Sequence, residues 1–182
     1  MMETLHQFLN RIANLKTFFV LLAAYVVFPG YILKNAEANI NQFAGKPIGP
    51  IDLTFGLNPS KTLEMVAAYG EQGRAYYAQG EMTMDVIYPI VYTFLFAVIL
   101  TLLFRNKPYT PFRYVNLLPF VTMLFDFIEN VFIVILLYRY PEQSMIVAVL
   151  CEIAKLLKWL SLVPVVFAVL YGLFKKIRIP NA

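Results

Sequence analysis

The chain has 182 residues, of which 60% are hydrophobic and 14% charged, with a formal net charge of +4 and a mean hydropathy of +0.65. Soluble domains carry roughly 25% charged residues, so this composition excludes an ordinary soluble protein and points to an all-α, polytopic membrane protein. One cysteine, Cys151, and one histidine, His6, exclude an intrachain disulfide and any zinc or haem site built on several Cys or His ligands; no metal and no cofactor is expected. The basic excess sits beside apolar runs, where membrane topology accounts for it, so no nucleic-acid partner is expected either.

A membrane-crossing helix needs about 20 mostly apolar residues. The first candidate, "TFFVLLAAYVVFPGYIL", covers about 17–33. Its long apolar run without a small-x-small cleavage pattern reads as a retained helix, kinked or ended near Pro29-Gly30. Residues 34–84 follow as the only sizeable part outside lipid. Within them "FAGKPIGPIDLTFGLNPS" has Gly and Pro at turn spacing and reads as an ordered loop. A short helix then begins near Asn58-Pro59-Ser60, with Ser60 as N-cap and Leu63, Val66 and Ala67 as an apolar stripe. Gly70 and Gly73 interrupt it before a second helix. Spans two, three and four cover about 85–104, 116–138 and 145–174. "RNKPYTPFRY" makes a proline-containing turn between spans two and three. No repeat or low-complexity run divides the chain, so residues 1–182 form a single membrane domain with a partly helical loop, 34–84, over one mouth of a four-helix bundle.

The charged residues give the direction. Arg11 and Lys16 precede span one; Arg105, Lys107 and Arg113 lie between spans two and three; Lys175, Lys176 and Arg178 follow span four. These three segments share a side only if the number of spans is even. The positive-inside rule therefore predicts four spans with both termini inside and residues 34–84 outside. The expected location is a cell membrane, multi-pass, in a bacterial inner membrane.

Against this apolar background the polar residues within the spans stand out. In "FDFIENVFIVILLY", Asp126, Glu129 and Asn130 are three and four positions apart and share one helix face with Thr122 and Ile133. At about 1.5 Å per residue, Asp126 lies roughly 15 Å deep. A charge there costs about 2.5–3.5 kcal/mol on insertion scales, so this face must look inward. Span four contributes "CEIAKLLKWL", with Glu152, Lys155 and Lys158; span two contributes Asp85, Tyr88 and Tyr92. The expectation is a polar cluster in the outer half of the bundle, with ion pairs between Asp126 or Glu129 and Lys155 or Lys158. Unless Arg74 or Arg139 folds over its mouth, some acid there must stay protonated or bind a cation.

Each residue also has a plainer reading. Asp126 can serve as an interhelical hydrogen-bonding group, Asp85 as an N-cap, Tyr88 and Tyr92 as packing residues, and Cys151 as a small apolar filler. Glu152 and Lys155 can be wet at the interface while Lys158 snorkels. Four acids against two lysines nevertheless leave an excess of carboxyl groups to be balanced by protons or by a cation.

The ordered series "IDLTFG", "YGEQGRAYY", "DVIYPIVY", "DFIEN" resembles a pattern found in a broad set of bacterial four-span membrane proteins without an assigned activity. The resemblance covers about residues 51–130. It implies that Asp52, Gly70, Arg74, Tyr77, Asp85, Pro89, Tyr92, Asp126, Glu129 and Asn130 belong to one constellation. The chain lacks the Trp and Cys landmarks of claudin-like loops and the Cys pair of quinone-linked thiol oxidoreductases.

The favoured expectation is a protein that binds a small apolar molecule or a membrane lipid in an outward-facing polar pocket between spans two, three and four. Acid–base chemistry would fall to Asp126 or Glu129, with Lys155 stabilising the conjugate base. Asn130, Asp85, Tyr88, Tyr92, Glu152, Lys158 and Arg74 would line the pocket. The alternatives are a proton- or cation-coupled transporter, for which a homo-oligomer would supply more helices, and a non-catalytic scaffold or accessory subunit.

Overall fold

The computed structural model describes residues 1–105 and 113–178, with side chains through 176. The expected proline turn, including Lys107, falls largely outside the described residues, as do the side chain of Arg178 and residues 179–182. Every regular element described is helical: α1 (Met2–Ile12), α2 (Leu15–Val27), α3 (Lys34–Ala44), α4 (Pro59–Ala68), α5 (Gly70–Phe104), α6 (Leu118–Tyr138) and α7 (Met145–Arg178), with short 3-10 turns at Ile51–Leu53 and Val115–Leu117. Four stretches are long and apolar enough to cross a membrane: Leu15–Ala44, Gly70–Phe104, Val115–Tyr138 and Met145–Lys176.

Three boundaries differ from the sequence reading. The first long helix neither stops nor breaks at Pro29-Gly30; it passes through a π-helical segment, Phe28–Leu33, and continues as α3. Pro29 has no N–H to offer the preceding turn, and the wider π register absorbs that loss. Gly45, with φ 66°, ends α3 in the left-handed conformation that glycine adopts without cost. The second long helix starts at Gly70, fifteen residues before Asp85. Gly70 is the break, with φ 68°. Gly73 instead lies inside α5, where a Cβ would come within 3.2 Å of Phe43 Cβ, so its smallness lets α3 approach α5. The N-cap of α4 is Asn58, not Ser60. Its side chain accepts from the Lys61 N–H, because Pro59 occupies the first helical position.

α5, α6 and α7 pack extensively on one another, whereas the first long helix leans mainly on α5. Two apolar clusters hold the interior. One joins Val66, Tyr69 and Tyr77 to Ile133, Leu137 and Cys151; the other, at the opposite end, joins Leu100 and Phe104 to Val115 and Val165. The outward faces of the four long helices carry exposed Leu, Ile, Val and Phe, for example Leu124, Val131, Leu160 and Phe167, as lipid-facing surfaces do. α1 lies across the second end. It is held by Glu3, which accepts from Arg113 at 2.9 Å and from the Tyr114 hydroxyl at 2.7 Å. These donors, Tyr114 foremost, hold the Glu3 carboxyl below its ordinary pKa, and the same contact raises the Tyr114 phenol.

Candidate functional site

The site begins with spacing on α5. Tyr77, Glu81, Asp85, Tyr88 and Tyr92 follow one another at four, four, three and four residues, so they form one stripe of the helix. On α6 the buried stripe is Thr122, Asp126, Glu129, Asn130 and Ile133; on α7 it includes Cys151, Glu152, Lys155 and Lys158. The three stripes face one another. The sequence reading of the α6 face as inward therefore holds.

Pro89 explains one contact between the stripes. A proline inside a helix cannot donate to the carbonyl four residues back, which here belongs to Asp85. The Asn130 side-chain amide donates to that carbonyl at 2.7 Å. Asn130 is thus a substitute donor from a neighbouring helix, the usual remedy where water is absent. Asp85 is not an N-cap, because α5 begins far upstream.

The buried charges separate into two groups. In the deeper one, Lys158 Nζ lies 2.5 Å from Glu129 Oε2 and 3.5 Å from Asp126 Oδ1. The Tyr92 hydroxyl donates to Asp126 Oδ2 at 2.7 Å. Glu129 Oε1 has no hydrogen-bond partner, so its ion pair carries the whole compensation for its burial. Lys158 does not snorkel; it is the shared cation of two carboxylates.

The second group sits one turn away. Lys155 pairs with Glu152 at 2.7 Å, and not with Asp126 or Glu129 as the sequence suggested. Its Nζ also donates to Thr54 Oγ1 at 2.7 Å and reaches the Ile51 carbonyl at 3.5 Å. Glu152 accepts from the Thr62 hydroxyl and from the Asn58 backbone N–H. These partners come from the segment between α3 and α5, which seats its 3-10 turn over Lys155 and diverts it from the deeper acids. Glu152 and Lys155 are accordingly buried and fastened, not wet, and they position that segment. From the opposite side the Tyr77 hydroxyl accepts from the Ile51 N–H at 2.9 Å and donates to Asp52 Oδ1 at 2.8 Å. Tyr69 donates to the Gly49 carbonyl at 2.8 Å, and burial, aided by Asp52 and Glu81, raises its phenol pKa. The "IDLT" turn is thereby clamped between α5 and α7 as a cap over the polar interior.

Beneath the cap lies a cavity of about 870 Å³, mostly apolar, bounded by the first long helix, α5, α6 and α7. Tyr25, Leu33, Phe96, Leu162 and Val166 supply wall, while Asp52, Asp85, Asp126 and Lys158 reach its lining. Tyr88 and Tyr92 line it as well, and Tyr88 stacks between Tyr25 and Phe28 at ring separations of 5.9 and 5.7 Å. The first long helix thus contributes a wall, which the sequence reading assigned to spans two, three and four alone. Glu129, Asn130, Glu152 and Lys155 lie behind the lining. Arg74 does not cover the mouth. Its guanidinium stacks 3.8 Å above the Tyr140 ring and donates to the Val66 carbonyl.

One buried acid was missed from the sequence. Glu81 is 1% exposed. Neither of its carboxyl oxygens makes a sound hydrogen bond, the Tyr77 hydroxyl being the polar group beside it. Placing the second span at Asp85 put Glu81 in water; the stripe through Tyr77 and Asp85 was the signal that could have found it. Among the described residues no group of three or more His, Cys, Asp or Glu is arranged to hold a metal ion.

Fold and site together define a class: an all-helical protein with four helices able to span a membrane and a capped interior cavity bearing carboxylates. Compared with known proteins, the chain matches no protein-family model, no curated protein and no solved structure.

Proposed function

We propose that the protein is a membrane-resident binder of a small, largely apolar molecule, a lipid or lipid-like compound, held in the cavity under the "IDLT" cap. The observation that carries this reading is the cavity itself. Its volume of about 870 Å³ falls within the roughly 300–1,000 Å³ of small-molecule sites, and it pairs apolar walls with a few converging polar groups, as such sites do. The positive-inside distribution supports an orientation with both termini inside and the cap at the outer leaflet. Acid–base chemistry on the bound molecule would fall to Asp126, which faces the cavity between Tyr92 and Lys158.

The test is native mass spectrometry of the protein released from mild detergent, comparing wild type with Leu162→Trp, which fills the cavity. A bound lipid-like mass on wild type that is absent from the variant is expected. Identical spectra would remove the reading.

A second reading, a proton or cation pathway, draws on another observation. Polar groups continue below the cavity: Ser161 donates to Thr122 at 3.1 Å, Asn116 to Thr101 at 2.9 Å, and His6 Nδ1 lies 3.1 Å from Asn116 Oδ1. The apolar cluster of Leu100, Phe104, Val115 and Val165 occupies the same end, which favours binding over passage. Proton flux into proteoliposomes that falls with Asn116→Leu would reverse this preference.

A further inference from the structure

We infer that the ligand carries a positive charge: a cationic amphiphile, an amine or quaternary ammonium on an apolar body, whose head is received by Asp85 and Asp52. This rests on the reading of the cavity as a ligand site and names the chemistry of its occupant.

Charge in the cavity is unmatched. Four carboxyl groups (Glu37, Asp52, Asp85 and Asp126) and two lysines (Lys34 and Lys158) line the cavity. Lys158 is already committed to Asp126 and, behind the wall, to Glu129. Among the described residues no cation pairs with Asp52 or Asp85. Among those residues Asp52 accepts only from Tyr77, and the Asp85 carboxyl group has no hydrogen-bond partner, its backbone carbonyl alone being engaged, by Asn130. A cationic head placed between Asp85 and Asp52 would answer both groups at once.

The rest of the lining fits the same chemistry. Tyr25 and Trp159 present aromatic surface to the cavity, and aromatic faces attract ammonium groups, most strongly where water is excluded. The apolar wall at Leu162 and Val166 suits a hydrocarbon body. Access is lateral: the first long helix packs on α5 but makes no comparable contact with α7, so a molecule dissolved in the bilayer can enter between them.

Trp159 is the only tryptophan in the chain and lines the cavity, so its emission reports occupancy directly. The full protein is reconstituted in phosphatidylcholine vesicles and titrated with octyltrimethylammonium, its uncharged isostere 2,2-dimethyldecane, and octyl sulfate. The ammonium is expected to saturate the Trp159 response at about tenfold lower mole fraction than the isostere, with octyl sulfate weakest. Asp85→Asn and, separately, Asp52→Asn should close that gap; the wild-type comparison needs no variant, so a folding defect in either leaves the test intact. Equal responses to ammonium and isostere would overturn the charge assignment while sparing the cavity reading. A gap that persists in both variants would overturn the assignment to these two aspartates. No saturable response to any probe would remove the cavity reading, and this inference with it.

Discussion

Asn130 donates a 2.7 Å hydrogen bond to the backbone carbonyl of Asp85, the carbonyl that Pro89 leaves without its helical donor. The bond joins α6 to α5 beside the cavity and fixes the Asp85 backbone at the lining. It also makes a sharp prediction, because the need for Asn130 exists only while residue 89 is proline. Asn130→Ala should destabilise the wild type by about 1–3 kcal/mol, the usual penalty for a buried acceptor left unpaired. In a Pro89→Ala background the same change should cost little, since the restored amide takes over. Thermal unfolding of the four proteins in detergent forms a double-mutant cycle; additive effects would disprove the link.

Lys158 serves two acids, so its removal leaves both uncompensated. Lys158→Met should destabilise by about 3–5 kcal/mol, as expected when one partner of a buried ion pair is lost. Adding Glu129→Gln should recover much of that loss, because the amide carries no charge to neutralise. Chemical denaturation or detergent thermal unfolding would read both effects. No recovery in the double variant would mean that Glu129 does not depend on this lysine.

On the α5 side the Tyr77 phenol bonds the cap at two points, the Ile51 N–H and Asp52. Tyr77→Phe removes the donor to Asp52 and leaves the Ile51 N–H, fully buried with its residue, without an acceptor. A cost of about 1–3 kcal/mol follows. The loss should be local first: hydrogen exchange at residues 51–54 should accelerate more than exchange in α6. Uniform acceleration across the chain would argue against a separate cap.

The docking of α1 should depend on acid. The Glu3 carboxyl is held below its ordinary value of 4.5 chiefly by the Tyr114 hydroxyl. A group whose pKa is lowered on folding contributes stability that is present above its unfolded value. That contribution is lost as the pH falls through the depressed value. A carbon-13 titration of Glu3 should therefore show a midpoint below 4.5, and Tyr114→Phe should move it upward. An unchanged midpoint in the variant would mean that the phenol does not hold α1.

Much of the architecture was legible because it follows from transfer energetics. Runs of apolar residues long enough to cross a bilayer, separated by Gly, Pro and charge, revealed four long helices and their order. The inward face of α6 was legible for the same reason: the cost of exposing Asp126, Glu129 and Asn130 to lipid leaves one orientation. The π passage at Pro29 and the upstream start of α5 were not legible. Hydropathy marks where a helix is apolar, whereas α3 and residues 70–84 are helical, polar and packed on each other. That error hid Glu81 and gave the first helix no part in the cavity. Lys155 was misassigned because, apart from Glu152 one turn away, its partners, Thr54 and the Ile51 carbonyl, are about a hundred residues away in sequence. A stripe on one helix shows which way a side chain faces but not which loop will come to meet it.

The π segment at Phe28–Leu33 also has a bearing on how this chain tolerates insertion and deletion. An α-helix advances about 100° per residue, and a π turn takes in an extra residue, so it resets the rotational phase of everything that follows. Ile40, buried against the Val66–Tyr77 cluster, and Glu37, at the cavity rim, hold their places only because that reset lies between them and Tyr25. Forcing 28–33 into a regular α-helix at its present length would turn α3 by about a quarter of a revolution and carry Ile40 out toward lipid, whereas removing one residue together with the π turn would leave α3 facing as it does. The spacing between the two ends of this helix is therefore as much a part of the site's construction as any side chain in it.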